Sequence, residues 1–435
     1  MSAIRPITRS LDALNIADLV RNELPYTQAL YDSSERLHED VAELFDFYIQ
    51  HRQALPMYAL REATADQLQH ELSTYYAMLE SALRRLFELS DEDIRDWFDC
   101  AAVRQGGFGH FLNYARHRFA ERSRLAPNQR HDTVYGRLDA AVDPDSGTLK
   151  GVYEFNGDTP VMLFESVNLQ NLISEALGEP EAQANDWWEA TQQQLAPYAG
   201  KAVAVVCDVN FIEDTVTAET LAQAFEAAGA QVYFTTLDGL NHDVFHLEQP
   251  FHVDGVDEPM DAVFMLLPWE EMWSSGQDIL LHWESWQARV QFFEPPWRWF
   301  LSHKAMLAWV THLFETDPAF KISWSSVAHL PTYRDAQPFI TQGQDYVIKP
   351  VTGRLSQNIQ IVRNGNATAP TEGNYGDEPM IYQAYAAPGQ VTGRENFIVG
   401  GWLSGEHVQT LCFREFDGPV LDLKNERFIA HLLTD

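Results

Sequence analysis

Four residues on two short segments have the types and spacing for phosphate chemistry. Arg137 and Asp139 lie two apart in TVYGRLDAAV (133–142), and Glu154 and Asn156 lie two apart in LKGVYEFNGD (149–158). On a strand, residues two apart share a face. The turn-rich DPDSG (143–147) between the segments predicts a β-hairpin. A loop centred between Ser146 and Gly147 sets Asp139 opposite Glu154 and Arg137 opposite Asn156. Spacing alone leaves that register open. Two carboxylates and an amide oxygen on one patch are hard ligands that suit Mg2+, which keeps water and phosphate in its other positions. An adjacent guanidinium suits a transferring phosphoryl group. The same spacing also describes an exposed, ion-paired hairpin face, which is common and weakly stabilising.

Two lysines stand further along the chain. Lys349 ends the apolar run DYVIKP and precedes the polar loop VTGRLSQN (351–358), which contains Gly353. A lysine leaving a strand beside a glycine loop can act as a point charge on a phosphate, with loop N–H groups around it. Lys304, in WRWFLSHKAML, sits at a predicted helix start. Ordinary solvated lysines satisfy both patterns equally. Neither GxxxxGK[ST] nor GxGxxG occurs. EPMIYQAY (378–385), with Gln383, reads either as a core strand or as an edge and hinge that holds a nucleotide base by backbone hydrogen bonds. Arg414 and Asp417, in FREFDGPV, fall at a strand end and by themselves read as surface charges.

The elements that must position these groups follow from periodicity. Residues 1 to about 130 read as mostly helical, with apolar residues at helical spacing over 66–87. KAVAVVC, TAETLAQAFEAAGA, QVYFTTL and DAVFMLL predict a small parallel α/β unit in 201–300. Residues 303–315 read as a helix. From Tyr346 onward several strands predict an α+β part with a largely antiparallel sheet. The expected fold class is thus α+β with an α/β part, and 435 residues suggest two to three domains.

Composition excludes several classes. With 63 acidic and 30 basic residues the chain carries a formal charge of −33, which opposes binding to nucleic acid or an anionic membrane. An acidic surface attracts cationic substrates such as polyamines, although charge of this sign also simply maintains solubility. No apolar run approaches a membrane span, and the first residues lack a signal-peptide core, so a cytoplasmic location is expected. Cys100, Cys207 and Cys412 are few and far apart, which suggests reduced thiols.

Several segments in order resemble one family. YGRLD (135–139) with YEFNGDTP (153–160) resembles the YGRFD and YEYNADTP signature of the glutathionylspermidine synthase family. DAVFMLLPWEEM (261–272), EPPWRWFLSHKAML (294–307), YVIKPVTGRLSQNI (346–359), IYQAY, VGGWLSGEHVQTLCFREFDGPV (399–420) and ERFIAHLL (426–433) resemble its later segments. The resemblance implies a circularly permuted ATP-grasp fold with a pre-ATP-grasp-like α/β domain. Its divisions would be 1–200, a helical region plus the metal-binding hairpin; 201–300, the α/β domain; and 301–435, the ATP-binding part. It implies Asp139, Glu154 and Asn156 as Mg2+ ligands and Arg137 as the catalytic contact to phosphate and tetrahedral intermediate. It further implies Lys304, Lys349, Gly353, Gln383 and Arg414 as ATP-binding, and Thr159, Glu213 and Asp214 as substrate residues. Val161 stands where the family has a small hydroxyl residue, Phe155 and Gly157 replace Tyr and Ala, and the loop lacks a second glycine after Arg354. The substrate end therefore departs from the family more than the ATP end. The segment before the signature is too short for the amidase domain of some members, so amidase activity is not expected. The implied activity is ATP-dependent joining of a peptide carboxylate such as glutathione to a polyamine or other amine. The alternatives are a non-catalytic ATP- or peptide-binding member and a scaffold built on the helical N-terminal region.

Overall fold

A computed structural model describes residues 2–11, 16–31, 33–243, 245–274, 278–421 and 425–435. The architecture is mixed α/β with several sheets. No helix among the described residues is long and apolar enough to cross a membrane.

The central sheet is antiparallel. Its strands run in the order Glu426–Ile429, His407–Phe416, Asn396–Ser404, Arg137–Val142 and Leu149–Asn156, with Gly389–Gln390 beside Asn396–Ser404. The predicted hairpin is therefore completed by one strand from far along the chain, Asn396–Ser404, which pairs Gly400 with Asp139 and Trp402 with Arg137. Helix Glu62–Leu86 covers this sheet. Its Leu68, Leu72, Tyr75, Tyr76, Leu79, Leu83 and Leu86 are buried at three- and four-residue spacing. Truncating one such leucine to Ala would cost about 2–5 kcal/mol.

The hairpin register is the expected one at the site, but it arises differently. Arg137 pairs with Asn156 and Asp139 with Glu154, whereas Val142 pairs with Leu149, so the turn centres nearer Asp145. Two irregularities, after Asp139 and after Ala141, absorb the difference by leaving Tyr153 and Lys150 as extra residues on the second strand. Both extra residues reach the same segment. The Lys150 ammonium donates to the Ala387 carbonyl at 3.0 Å, and the Tyr153 hydroxyl donates to Ala386 at 2.9 Å.

A second antiparallel sheet carries Lys349. Its order is Thr332–Tyr333, Met380–Ala384, Tyr346–Pro350, Gln360–Arg363, Asn366–Ala367. The C-terminal third thus feeds three sheets rather than one, the third through His431–Thr434. The Met380–Ala384 strand is internal, because Thr332 and Tyr333 pair with Gln383 and Tyr382. Of the two readings of that segment, the core strand is the one that forms. The α/β unit forms as expected: Gln291–Phe293, Ala262–Met265, Ala202–Cys207 and Gln231–Thr236 pair in parallel, with helix Ile212–Ala227 crossing between the last two.

The N-terminal region is less helical than its periodicity suggests. Ile4–Arg9 and Leu55–Arg61 pair antiparallel, and Leu55–Arg61 pairs in parallel with His431–Thr434 at the far end of the chain. A partner that distant leaves no local sequence signal.

Candidate functional site

Arg137 and Asp139 lie on a face where the central sheet is covered, and both are almost fully buried. The Arg137 Nε donates to Asp139 Oδ1 at 2.7 Å and its Nη2 to Oδ2 at 3.1 Å. Its Nη1 donates to the Val161 carbonyl at 2.5 Å, and its guanidinium lies 5.4 Å from the Trp402 ring centroid. Gly400 makes this packing possible, since a Cβ there would stand 2.5 Å from Cys412 Sγ and 3.1 Å from Arg137 Cδ. Arg414 completes the group. It donates to Asp139 Oδ2 at 2.6 Å through Nη1 and to Glu426 through Nε. Arg414 is thus a buried, doubly paired residue rather than a surface charge, whereas Asp417 is exposed and pairs with Arg427. Burial works against the Asp139 charge, but Arg137 and Arg414 outweigh it and hold this carboxyl below its usual range.

The lysines meet the hairpin. Lys304 immediately precedes helix Ala305–Thr316, and its ammonium lies 3.2 Å from Glu154 Oε2 and donates to the Gly353 carbonyl at 2.9 Å. The Lys349 ammonium donates to Gln383 Oε1 at 2.8 Å and to the Tyr153 carbonyl at 3.3 Å. Burial opposes the Glu154 charge as well, and Lys304 and Lys349 outweigh it, so its carboxyl also titrates low. Lys349 goes the other way. Burial lowers its ammonium to about 8, with Glu154 resisting and Lys304 assisting.

The loop 351–358 lies against this group. Arg354 binds Glu270 Oε1 at 2.9 Å and lies 3.7 Å from Asp158 Oδ2, while the Trp299 indole N–H donates to the other Glu270 oxygen at 2.8 Å. Leu355, Ser356 and Asn358 adopt positive φ of 54°, 55° and 56°, a strained choice for side-chain-bearing residues. Neither Arg354 nor Glu270 was singled out from the sequence for a role. Asn156 and Thr159 stand where the chain leaves the hairpin, and the Thr159 N–H donates to Asn156 Oδ1 at 3.4 Å.

Beyond Arg137 and Arg414 the character of the site changes. Glu213 and Asp214 open helix Ile212–Ala227, and two further carboxylates join them, Glu165 and Glu426. Glu165 begins a π-helical turn, Glu165–Leu169, a form frequent at functional sites. It is 4% exposed, and its Oε2 has no hydrogen-bond partner. Burial first, then Glu213 and Glu426, push its carboxyl up to about 8. Burial, Glu213 and Asp208 push Asp214 up to about 7. Glu213 is raised by burial and Glu426, with Arg414 and Arg137 opposing. Its single acid inside the apolar run VMLFESV was the available signal for Glu165.

The donor set suits a small hard cation. Among the described residues no three His, Cys, Asp or Glu side chains form a protein-only metal cage. Asp139 and Glu154 are cross-strand neighbours and both are anionic; Asn156 adds an amide oxygen two positions along. Glu154 keeps free lone pairs beside its single lysine contact. That fits Mg2+, which takes one or two carboxylates and completes its shell from water and phosphate.

Comparison with known proteins gives one family and several similar proteins. The family model described as glutathionylspermidine synthase preATP-grasp matches residues 117–434. A trypanothione synthetase from Crithidia fasciculata is 24% identical over 329 residues, which cover 67% of this chain and 47% of that protein. The chain thus spans about half the length of that relative. A Haemophilus influenzae protein provisionally named an acid–amine ligase is 24% identical over 312 residues, covering 68% of this chain and 74% of that one. A solved structure from Methylobacillus flagellatus, provisionally described as a gamma-glutamylcysteine synthetase, aligns over 83% of this chain and 88% of its own at 11% identity, with a TM-score of 0.43.

Proposed function

This chain belongs to the glutathionylspermidine synthase preATP-grasp family, and on that premise we propose that it is an ATP-dependent ligase joining a carboxylate to an amine. One observation carries the reading: the Lys304 ammonium, 150 positions from Glu154 in sequence, stands 3.2 Å from its carboxylate. A nucleotide bound at the lysines would therefore meet the hairpin oxygens. The order of these groups, Glu154 and Asn156 before Lys304 and Lys349, supports a circularly permuted ATP-grasp arrangement. In that arrangement 201–300 is the pre-ATP-grasp-like part and 301–435 carries the nucleotide.

A free carboxylate is a poor acyl donor, and transfer of the γ-phosphoryl group to it supplies a leaving group. Lys304 and Lys349 hold the phosphates, and Gly353 with its loop covers them. Arg137, fixed by Asp139, the Val161 carbonyl and Trp402, presents its guanidinium to the transferring group and then to the tetrahedral centre. Asp139, Glu154 and Asn156 would hold Mg2+, which when bound offsets charge developing on the phosphoryl oxygens. Exclusion of water by the loop, tied down through Arg354, protects the acyl phosphate from hydrolysis. The amine then displaces phosphate and forms the amide.

The acid is a peptide carboxylate such as that of glutathione, bound near Thr159. The amine is a polyamine or related cation, drawn by Glu213 and Asp214 and joined by Glu165. The uncompensated carboxyls on this side support a cationic acceptor. Amine-dependent ADP release tests the proposal, using glutathione and related peptides against polyamines and amino acids. ADP that appears only when acid and amine are both present supports the ligase. Nucleotide binding with no turnover under any pair would instead make the chain a non-catalytic binding member.

A further inference from the structure

Gln383 occupies an unusual position for a residue grouped with the nucleotide-binding set. Its side chain is 1% exposed and every polar atom is committed. Oε1 accepts the Lys349 ammonium at 2.8 Å, and Nε2 approaches the Tyr153 carbonyl at 3.2 Å and the Val152 carbonyl at 3.4 Å. An amide has two N–H donors, and both are used here. No donor remains with which to recognise a base, and the spare lone pair of Oε1 is buried.

The Tyr153 carbonyl is the second half of the arrangement. Tyr153 is an extra residue of the hairpin, inserted between the pairs Asp139–Glu154 and Ala140–Val152. A bulged residue drops out of the strand ladder, so its carbonyl is free to turn outward. Here it accepts from both Lys349 and Gln383. That carbonyl belongs to the peptide unit whose nitrogen is Glu154's, so whatever fixes its plane also fixes the Glu154 backbone. The Tyr153 hydroxyl and the Lys150 ammonium tie the same strand to the Ala386 and Ala387 carbonyls, just beyond the strand that carries Gln383. The two sheets are therefore pinned together at the bulge.

We propose that Gln383 is a positioning residue that acts through Lys349, holding its ammonium at a fixed distance from Glu154 by bridging it to the bulged Tyr153 carbonyl. Two of the three Lys349 donors are spent on this bridge, and the third is left for a nucleotide phosphate. The inference rests on the ligase reading for the identity of that phosphate. It departs from that reading in giving Gln383 no contact with the nucleotide.

The test measures binding of Mg2+ with a non-hydrolysable ATP analogue to the full chain by calorimetry, with thermal unfolding in parallel. Gln383→Met preserves the side chain's length and removes the acceptor. It should weaken binding by at least about tenfold, the cost of leaving a buried charge short of one hydrogen bond. Gln383→Glu keeps the Lys349 acceptor but has a donor for the Tyr153 carbonyl only when protonated, so its affinity should approach that of the wild type at the same pH only as pH falls. Gln383→Asn, which withdraws the amide by one methylene, should behave like the Met variant and serves if that variant does not fold. Lys349→Met alone and combined with Gln383→Met closes a cycle. Action through Lys349 requires that the two losses do not add. Losses that add, or wild-type affinity in both the Met and Asn variants, overturn the proposal while leaving the ligase reading intact. No analogue binding by the wild-type chain overturns both.

Discussion

The two ends of the site solve opposite electrostatic problems. At the hairpin end each of the two carboxylates has a cation beside it: Asp139 has Arg137 and Arg414, and Glu154 has Lys304. Both acids are held below their usual range despite burial. At the other end Glu165, Glu213 and Asp214 crowd together, and all three are raised. The first end is neutralised by its own residues and suits a ligand that arrives with its own counter-ion. The second holds acid without enough base and suits a cation. Arg137 and Arg414 stand at the boundary, in contact with Asp139 and close enough to oppose the shift at Glu213.

The contrast can be broken from either side. The largest effect is expected for Arg137→Ala, which should lower amide formation by roughly a thousandfold, the scale of losing a positioned donor to a developing charge. It should also lower the melting temperature, because Asp139 would be left buried with one guanidinium. Steady-state ADP release and thermal unfolding measure the two separately. Lys304→Met should raise KM for ATP about ten- to a hundredfold, since it frees both Glu154 and the Gly353 carbonyl. KM for the amine should stay nearly constant.

Pairing Glu213→Gln with Asp214→Asn should reverse that pattern. KM for the amine should rise about tenfold, some 1.4 kcal/mol, with little change for ATP. If both substrates respond alike to either pair of changes, the two ends are not separate.

The smallest effect concerns pH. Glu165 is raised to about 8 and Asp214 to about 7, so the folded chain keeps protons that the unfolded chain has released. Their contribution to stability is complete below the ordinary carboxyl range and is lost as pH rises through about 7 and about 8. The melting temperature should therefore fall across that interval, and Glu165→Gln should flatten the fall. A bound cationic amine ionises the same groups, so calorimetry in buffers of different ionisation heat should register proton release. Slopes identical in wild type and Glu165→Gln would remove Glu165 from this account.

The sequence made one end far more legible than the other. Strand alternation put Arg137 with Asp139 and Glu154 with Asn156, and the expected cross-strand pairs formed, although two extra residues rather than the turn position produced them. The lysines could be named by type, but only the fold brings Lys304 to Glu154, since helix 305–316 and the hairpin share no local signal. Glu165 was invisible for a different reason. A single glutamate among apolar residues reads as one face of a helix, and its missing hydrogen-bond partner is a property of packing. Likewise Arg414 looked exposed because its two carboxylate partners, Asp139 and Glu426, come from strands on either side of it in the sheet.

The most direct measurement is the affinity of an ATP analogue with and without Mg2+, in the wild-type chain and in Glu154→Gln. If the hairpin holds a cation against a nucleotide gripped by the lysines, Mg2+ strengthens wild-type binding and the variant loses that gain while staying folded. Equal strengthening in both proteins, or wild-type binding indifferent to Mg2+, would contradict it.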